Sequence, residues 1–167
     1  MVIRNPKELF VMLLSDVRQR EERTTQILQE ISEAVKEPDL KEALESRVFL
    51  KAQILSTLDR CFKLVGEKPV EVGDRLHNVF VEDFRKELAE INSPVARHLF
   101  VLAKANHLIH LRIAEYVALT AMADITRHYG VGVLLESCLA DNLAFVERAR
   151  RLVRRVVEHE IGEQRAA

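Results

Sequence analysis

The stretch Asn92–Gly130, NSPVARHLFVLAKANHLIHLRIAEYVALTAMADITRHYG, decides the fold. Ser93 is a helix N-cap, and Pro94 suits the first helical position, where its missing N–H costs nothing. Gly130 is the expected left-handed stop. Neither Pro nor Gly lies between them, so the reading predicts a helix over 94–129, about thirty-five residues and roughly 50 Å long. Its apolar stripe is Val95, Leu99, Leu102, Asn106, Ile109, Arg112, Tyr116, Leu119 and Ala123, with a cation, Arg112, in the middle. A helix this long and apolar forms a central wall of a bundle.

Outward from it, the other prolines also mark helix starts. Asn5-Pro6-Lys7-Glu8 opens a first helix over 5–36, with Asn5 as cap and Glu8 at the capping-box position. Its stripe is Phe10, Leu14, Val17, Glu21, Thr24, Leu28, Ile31 and Val35. Pro38-Asp39 opens a second over 39–65, ending at Gly66, with stripe Leu40, Leu44, Arg47, Leu50, Ile54, Leu58, Cys61 or Phe62, and Val65. The short loop between these two makes them antiparallel neighbours. Gly66–Gly73 is a connector, and a shorter helix over 74–91 (Leu76, Val79 or Phe80, Phe84, Leu88, Ile91) belongs to a crossover. A last long helix over 131–159 carries Leu134, Cys138, Asp141, Phe145, Arg148 or Ala149, Leu152 and Val156, and the tail after Glu160 is expected to fray. The fold class is therefore all-α, a four-helix bundle with a shorter helix in the crossover, in one domain over 1–167.

Composition limits the function. A net charge of −1 and a pI near 6.6 oppose nucleic-acid binding by bulk charge. No run of eighteen uncharged apolar residues or signal peptide is apparent, so no membrane span and a cytoplasmic location are expected. Cys61 and Cys138 both fall on apolar stripes and read as buried, reduced thiols. No Gly-rich phosphate loop, zinc-ligand spacing or nucleophile elbow occurs.

Each long helix carries one ionisable residue on its stripe: Glu21, Arg47, Arg112 and Asp141. Central carboxylates in four-helix bundles often hold two metal ions. A guanidinium cannot ligate a metal. Two carboxylates and two guanidiniums instead sum to zero charge and form a candidate buried ion-pair network. Counting back from each hairpin loop, however, sets Glu21 about 10 Å from the level of Arg47, and Arg112 as far from Asp141. His107 with His110, and Asp124 with His128, have two-ligand spacing, but surface or hydrogen-bonded histidines are the simpler reading. The run Arg148–Arg155 reads as a solvated face complementing the helix dipole ahead of a phosphate or acidic-partner site.

The segments NPKELFVMLLSDVRQREERTTQIL, LKEALESRVFLKAQILSTLDRCFKLVGEKP, HLIHLRIAEYVALTAMA and LLESCLADNLAFVE, in this order and spacing, resemble the bacterial YciE/YciF-type ferritin-like family over nearly the whole chain. The resemblance implies a ferritin-like diiron-type bundle, often dimeric, associated with stress responses. The family pattern keeps a Glu where Glu21 stands. It has His-x-x-Glu where this chain has Arg47 and Leu50, Glu-His-Tyr-Glu at Ile109, His110, Leu111 and Arg112, and Glu-Glu at Asp141 and Asn142. Most ligand positions are thus changed, so no metal or cofactor is expected, and a non-catalytic structural or interaction role as a homodimer leads. The alternatives are a metal-dependent oxidase or iron-handling protein using iron or manganese at an altered site of Glu21, Asp141 and histidines, and a helical adaptor or regulator with an unknown protein partner.

Overall fold

The computed structural model describes residues 3–33, 35, 37–73 and 75–166; at 75–77 and 160–166 the backbone alone is described. The described residues form helices α1 (Pro6–Glu33), α2 (Pro38–Phe49), α3 (Lys51–Val65), α4 (Arg75–Glu90), α5 (Pro94–Ile125) and α6 (Tyr129–Ala166), with no strand. The expected ends of the first helix beyond 33 and the expected start at 74 touch undescribed residues, as does the side chain of Leu76.

The caps follow the local chemistry. Asn5 Oδ1 accepts from Glu8 N at 2.9 Å, and Glu8 returns to Arg4 N at 2.7 Å and Asn5 Nδ2 at 2.9 Å. Ser93 Oγ accepts from Ala96 N at 3.3 Å, with Pro94 following it. The cap of α2 is Glu37, whose side chain accepts from Asp39 N and Leu40 N. Arg97 Nη1 donates to Leu88 O at 2.9 Å and Ile91 O at 3.0 Å, satisfying carbonyls at the end of α4.

Three boundaries depart from the sequence reading. The helix expected over 39–65 is interrupted at Leu50, whose N–H turns to Val48 O, so it runs as α2 and α3. The tail after Glu160 continues α6 as helix to Ala166 rather than fraying. The third concerns α5, which ends at Ile125, not at Gly130. His128 N donates to Ala123 O at 2.8 Å and Arg127 N to Asp124 O at 3.1 Å, a Schellman turn with Arg127 in the left-handed position at φ 61°. Gly130 lies in the first turn of α6. The pairing of orphan carbonyls thus fixes the stop four residues early and puts a residue with a Cβ where glycine is favoured. Arg127→Gly is therefore expected to raise the unfolding free energy by about 1 kcal/mol in urea titrations.

Two apolar clusters lie end to end. One gathers Leu28 and Ile31 of α1, Leu40 and Leu44 of α2, Leu102 and Ile109 of α5, and Phe145 and Leu152 of α6. The other gathers Phe10 and Leu14, Leu58 and Phe62, Tyr116 and Leu119, and Val131 and Leu135. Their order along the chain gives the topology. α1 and α6 run one way, and α2–α3 and α5 the other. The segment 66–73 and α4 carry the chain back along the bundle between α3 and α5. The connector lies on α1, with Val70 N donating to Ser15 Oγ at 3.0 Å, and α4 packs on α1 and α5. Tyr129–His159 is long and apolar enough to cross a membrane by length and composition alone, as core helices of bundles also are; its Val131–Leu152 stripe packs inside the bundle.

Candidate functional site

Every long helix crosses from one apolar cluster to the other through a polar residue. On α1 it is Glu21, on α2 Arg47, on α5 Arg112, and on α6 Asn142, and each is 0–1% exposed. This is the layer where the sequence interrupted its stripes, with one correction. On α6 the buried residue is Asn142, not Asp141. The stripe runs Val131, Leu135, Cys138, Asn142, Phe145, Ala149, Leu152, which fits the three-and-four spacing as well as a path through Leu134 and Asp141 does. Asp141 is half-buried to one side and makes no ion pair with either core arginine.

Arg47 Nη2 donates to Glu21 Oε2 at 2.7 Å and to Asn142 Oδ1 at 3.3 Å. Tyr116 OH donates to the other Glu21 oxygen at 2.9 Å. Asn142 Nδ2 donates to Cys138 O at 2.7 Å, which fixes its amide. The level difference counted from the loop between Glu21 and Arg47 closes because α1 ends at Glu33, three residues before 36. That leaves an offset of about one turn, within the reach of an arginine side chain.

Arg112 does not join Asp141. Its Nη2 donates to Glu115 Oε1 at 3.0 Å, and Arg20 Nη1 donates to the same oxygen at 2.6 Å. Asp16 pairs with Arg20 at 2.9 Å. Burial lowers the Arg112 pKa, which the nearby carboxylates of Glu115 and Glu21 oppose. Burial raises the Glu115 carboxyl, opposed by Arg112 and Arg20. Glu115, Arg20 and Tyr116 were absent from the expected network. Glu115 sits three residues after Arg112, a spacing that was available to find it. Arg20 reaches Glu115 through the packing of α1 on α5, which no local spacing reveals, and Tyr116, on the α5 stripe four residues after Arg112, turns across to Glu21 of α1.

The other candidates separate. His107 meets Phe80 edge-on at 6.0 Å, while His110 Nδ1 lies 2.8 Å from Asn106 O, one turn back on its own helix. His128 stacks on Phe10 with ring centroids 6.0 Å apart. Leu50 lies at the break between α2 and α3, and Ile109 is fully buried in an apolar cluster. In the arginine run, Arg148 pairs with Glu42 at 2.8 Å and Arg155 with Asp39 at 2.7 Å, tying α6 to α2.

The donor set of this layer does not fit two metal ions. Both oxygens of Glu21 already accept hydrogen bonds, two neighbours are permanent cations, and among the described residues no three His, Cys, Asp or Glu cluster as metal ligands do.

Cys61 and Cys138 are free and buried, in the cluster beside this layer. Burial pushes the Cys61 thiol up to about 11, and burial together with the Glu21 carboxylate pushes Cys138 up to about 12. Both keep their protons in the fold above pH 9.0, the ordinary value, where the unfolded chain releases them. Stability from these thiols is full below that pH. It falls as pH rises toward 11 and 12, by about 1.4 kcal/mol per thiol per pH unit. Native protein is accordingly expected to leave both thiols unreacted with a disulfide reagent at neutral pH and to release two equivalents on unfolding, with urea midpoints dropping above pH 9.0.

Residues 5–162 match the family described as "Domain of unknown function (DUF892)". No curated protein matches the sequence. Among solved structures, the chain is similar to the E. coli stress protein YciF, with a TM-score of 0.87 at 20% identity over 93% of this chain and 99% of that one. It is similar to YcfI from Rhodopseudomonas palustris, named as a candidate structural protein, with a TM-score of 0.83 at 24% identity over 89% and 94% of the two chains. It is also similar to ferritin-like, diiron-carboxylate proteins from Bacillus anthracis, with a TM-score of 0.68 at 16% identity over 90% and 99%. At these identities the likeness shows the fold, a ferritin-like bundle of the YciF type, as the sequence resemblance implied.

Proposed function

Since this chain belongs to the DUF892 family, we propose that it is a stress-associated, non-catalytic structural or interaction protein, cytoplasmic and homodimeric, in which an ion-pair layer stands at the level of a ferritin-like metal centre. The observation that carries this reading is the commitment of Glu21: one oxygen serves Arg47 and the other Tyr116. Each oxygen of the carboxylate at the centre of the bundle accepts from a protein donor. Arg47 and Arg112 hold positive charge where a diiron site concentrates negative charge. The stress association rests on the YciF likeness and belongs to that neighbour by its description.

Thermal unfolding with and without metal tests the reading. A metal bound at a hundredfold excess over its Kd adds about 2.7 kcal/mol, a Tm shift of roughly 5–10 °C for a domain of this size. The expected result is a Tm unchanged within about 1 °C by ferrous iron, manganese or chelator. A metal-dependent rise that Glu21→Gln removes would transfer the assignment to a metal-dependent oxidase or iron-handling protein. Sedimentation equilibrium tests the homodimer: a mass of 19.2 kDa rather than twice that contradicts it.

A further inference from the structure

α6 is more apolar than the core of one chain uses. Its most apolar stretch is 33% buried by the bundle. Among the described residues, Tyr129, Val133, Leu143, Val153 and Val157 of α6 are large apolar side chains left exposed, more than any other helix leaves. Three of them belong to one line. Tyr129, Glu136, Leu143, Arg150 and Val157 recur every seven residues, a step that drifts about 20° per repeat on a straight helix, so the five share a face. All five are exposed, so the helices that pack on α6 leave this face uncovered.

The line reads the same in both directions from Leu143, except that the charge changes sign. Seven residues before it stands a carboxylate, Glu136, and seven after it a guanidinium, Arg150, each about 10 Å away along the axis. Tyr129 and Val157, one repeat further out, are both apolar. Glu136 has no hydrogen bond or ion pair among the described residues. Arg150 meets Glu147 at 3.8 Å in an exposed pair, which leaves most of its N–H donors free. Such a face is complementary to itself turned end for end, as a two-fold interface requires. Parallel pairing sets Glu136 on Glu136 and Arg150 on Arg150, and like charges repel. Antiparallel pairing slipped by seven residues sets a charge on Leu143. Equal steps from Leu143 set carboxylate on guanidinium and leucine on leucine.

We propose that two copies of this chain pair antiparallel along α6, with Leu143 on the two-fold axis and Glu136 of each copy against Arg150 of the other. This rests on the homodimer proposed above and names its surface. The same register covers the groove between α5 and α6. That groove, of about 560 Å³, has Leu99, Ala103, Val146 and Val153 among its lining residues. Counted from Leu143, the segment 146–153 lies opposite 133–140 of the other copy, which carries Val133, Leu139 and Ala140. Apolar side chains thus meet the groove, and one ion pair on either side of the axis fixes the register.

The test is sedimentation equilibrium of the full-length protein and of variants at exposed positions of this line, where substitution leaves the core of each copy intact. Natural protein is expected at about twice 19.2 kDa. Glu136→Arg and Arg150→Glu each set like charges together twice per dimer and should weaken it about tenfold or more, as should Leu143→Asp. Mixed in equal amounts, the two charge-reversed variants regain both attractive pairs. The mixture should dimerise about as tightly as natural protein, a result that misfolded variants would not give. A mixture that stays monomeric overturns the pairing of Glu136 with Arg150. A dimer indifferent to all three substitutions lies elsewhere on the chain, which overturns this surface and leaves the homodimer standing. A monomeric natural protein overturns both, and its flotation with lipid vesicles would give the face to a membrane instead.

Discussion

Replacing Arg47 by alanine is expected to lower the unfolding free energy by about 3–5 kcal/mol, the cost of breaking a buried ion pair by removing one partner. Arg47 and Glu21 are each 1% exposed, and the 2.7 Å contact between them is the only ion pair to Glu21 among the described residues. Alanine leaves Glu21 charged with Tyr116 alone as a donor, and Asn142 Oδ1 without its donor. The measurement is the urea midpoint, with an unchanged m-value to show that the denatured state is the same. The double variant Glu21→Gln with Arg47→Met separates charge from packing. It removes both charges, keeps an acceptor for Tyr116, and fills most of the volume. Its stability is expected to lie within about 1 kcal/mol of the natural protein or above it, since apolar replacement of a whole buried pair is often neutral or stabilising. A single-variant loss below about 1 kcal/mol would mean that the Glu21–Arg47 contact is not the desolvated pair described.

Arg112→Ala is expected to cost about 3 kcal/mol, at the lower end of that range. Arg112 is fully buried, yet its partner Glu115 keeps a second cation, Arg20, at 2.6 Å. Arg112→Met retains most of the volume and should recover all but about 1 kcal/mol. The deficit also has a pH signature. Burial already raises the Glu115 carboxyl above 4.5, and Arg112 is the leading group that opposes the rise. Without Arg112 the folded-state pKa climbs further. A raised carboxyl favours the folded state as pH falls through that value. The deficit of Arg112→Ala should therefore shrink between neutral pH and 4.5, measured by urea unfolding across that window. A deficit independent of pH would place the loss in packing alone.

The architecture was legible because long helices announce themselves twice, through caps and through stripe periodicity. Asn5, Ser93, Pro94 and Gly66 stand at or beside the ends of α1, α5 and α3 as local chemistry requires. The end of α5 was not legible, because two backbone bonds to Ala123 and Asp124 carbonyls place the left-handed residue at Arg127, against its intrinsic preference, and only the folded turn shows them. Of the polar layer, Glu21, Arg47 and Arg112 could be read from their stripes. On α6 adjacent residues fit the same stripe, and charge drew attention to Asp141 while burial selects Asn142. A neutral amide that fixes itself on Cys138 O costs less to bury than a second carboxylate. Partner choice was the least legible part. Arg112 takes Glu115 from its own helix and shares it with Arg20, which depends on how α1 and α5 pack.

The most direct measurement on the central claim is the metal content of untagged protein. It should be produced with iron, manganese and zinc supplied and purified without chelators. With Glu21 committed to Arg47 and Tyr116, fewer than about a tenth of a metal ion per chain is expected. One to two ions per chain, lost in Glu21→Ala, would contradict the ion-pair layer as the resting state of the bundle and place a working metal centre there instead.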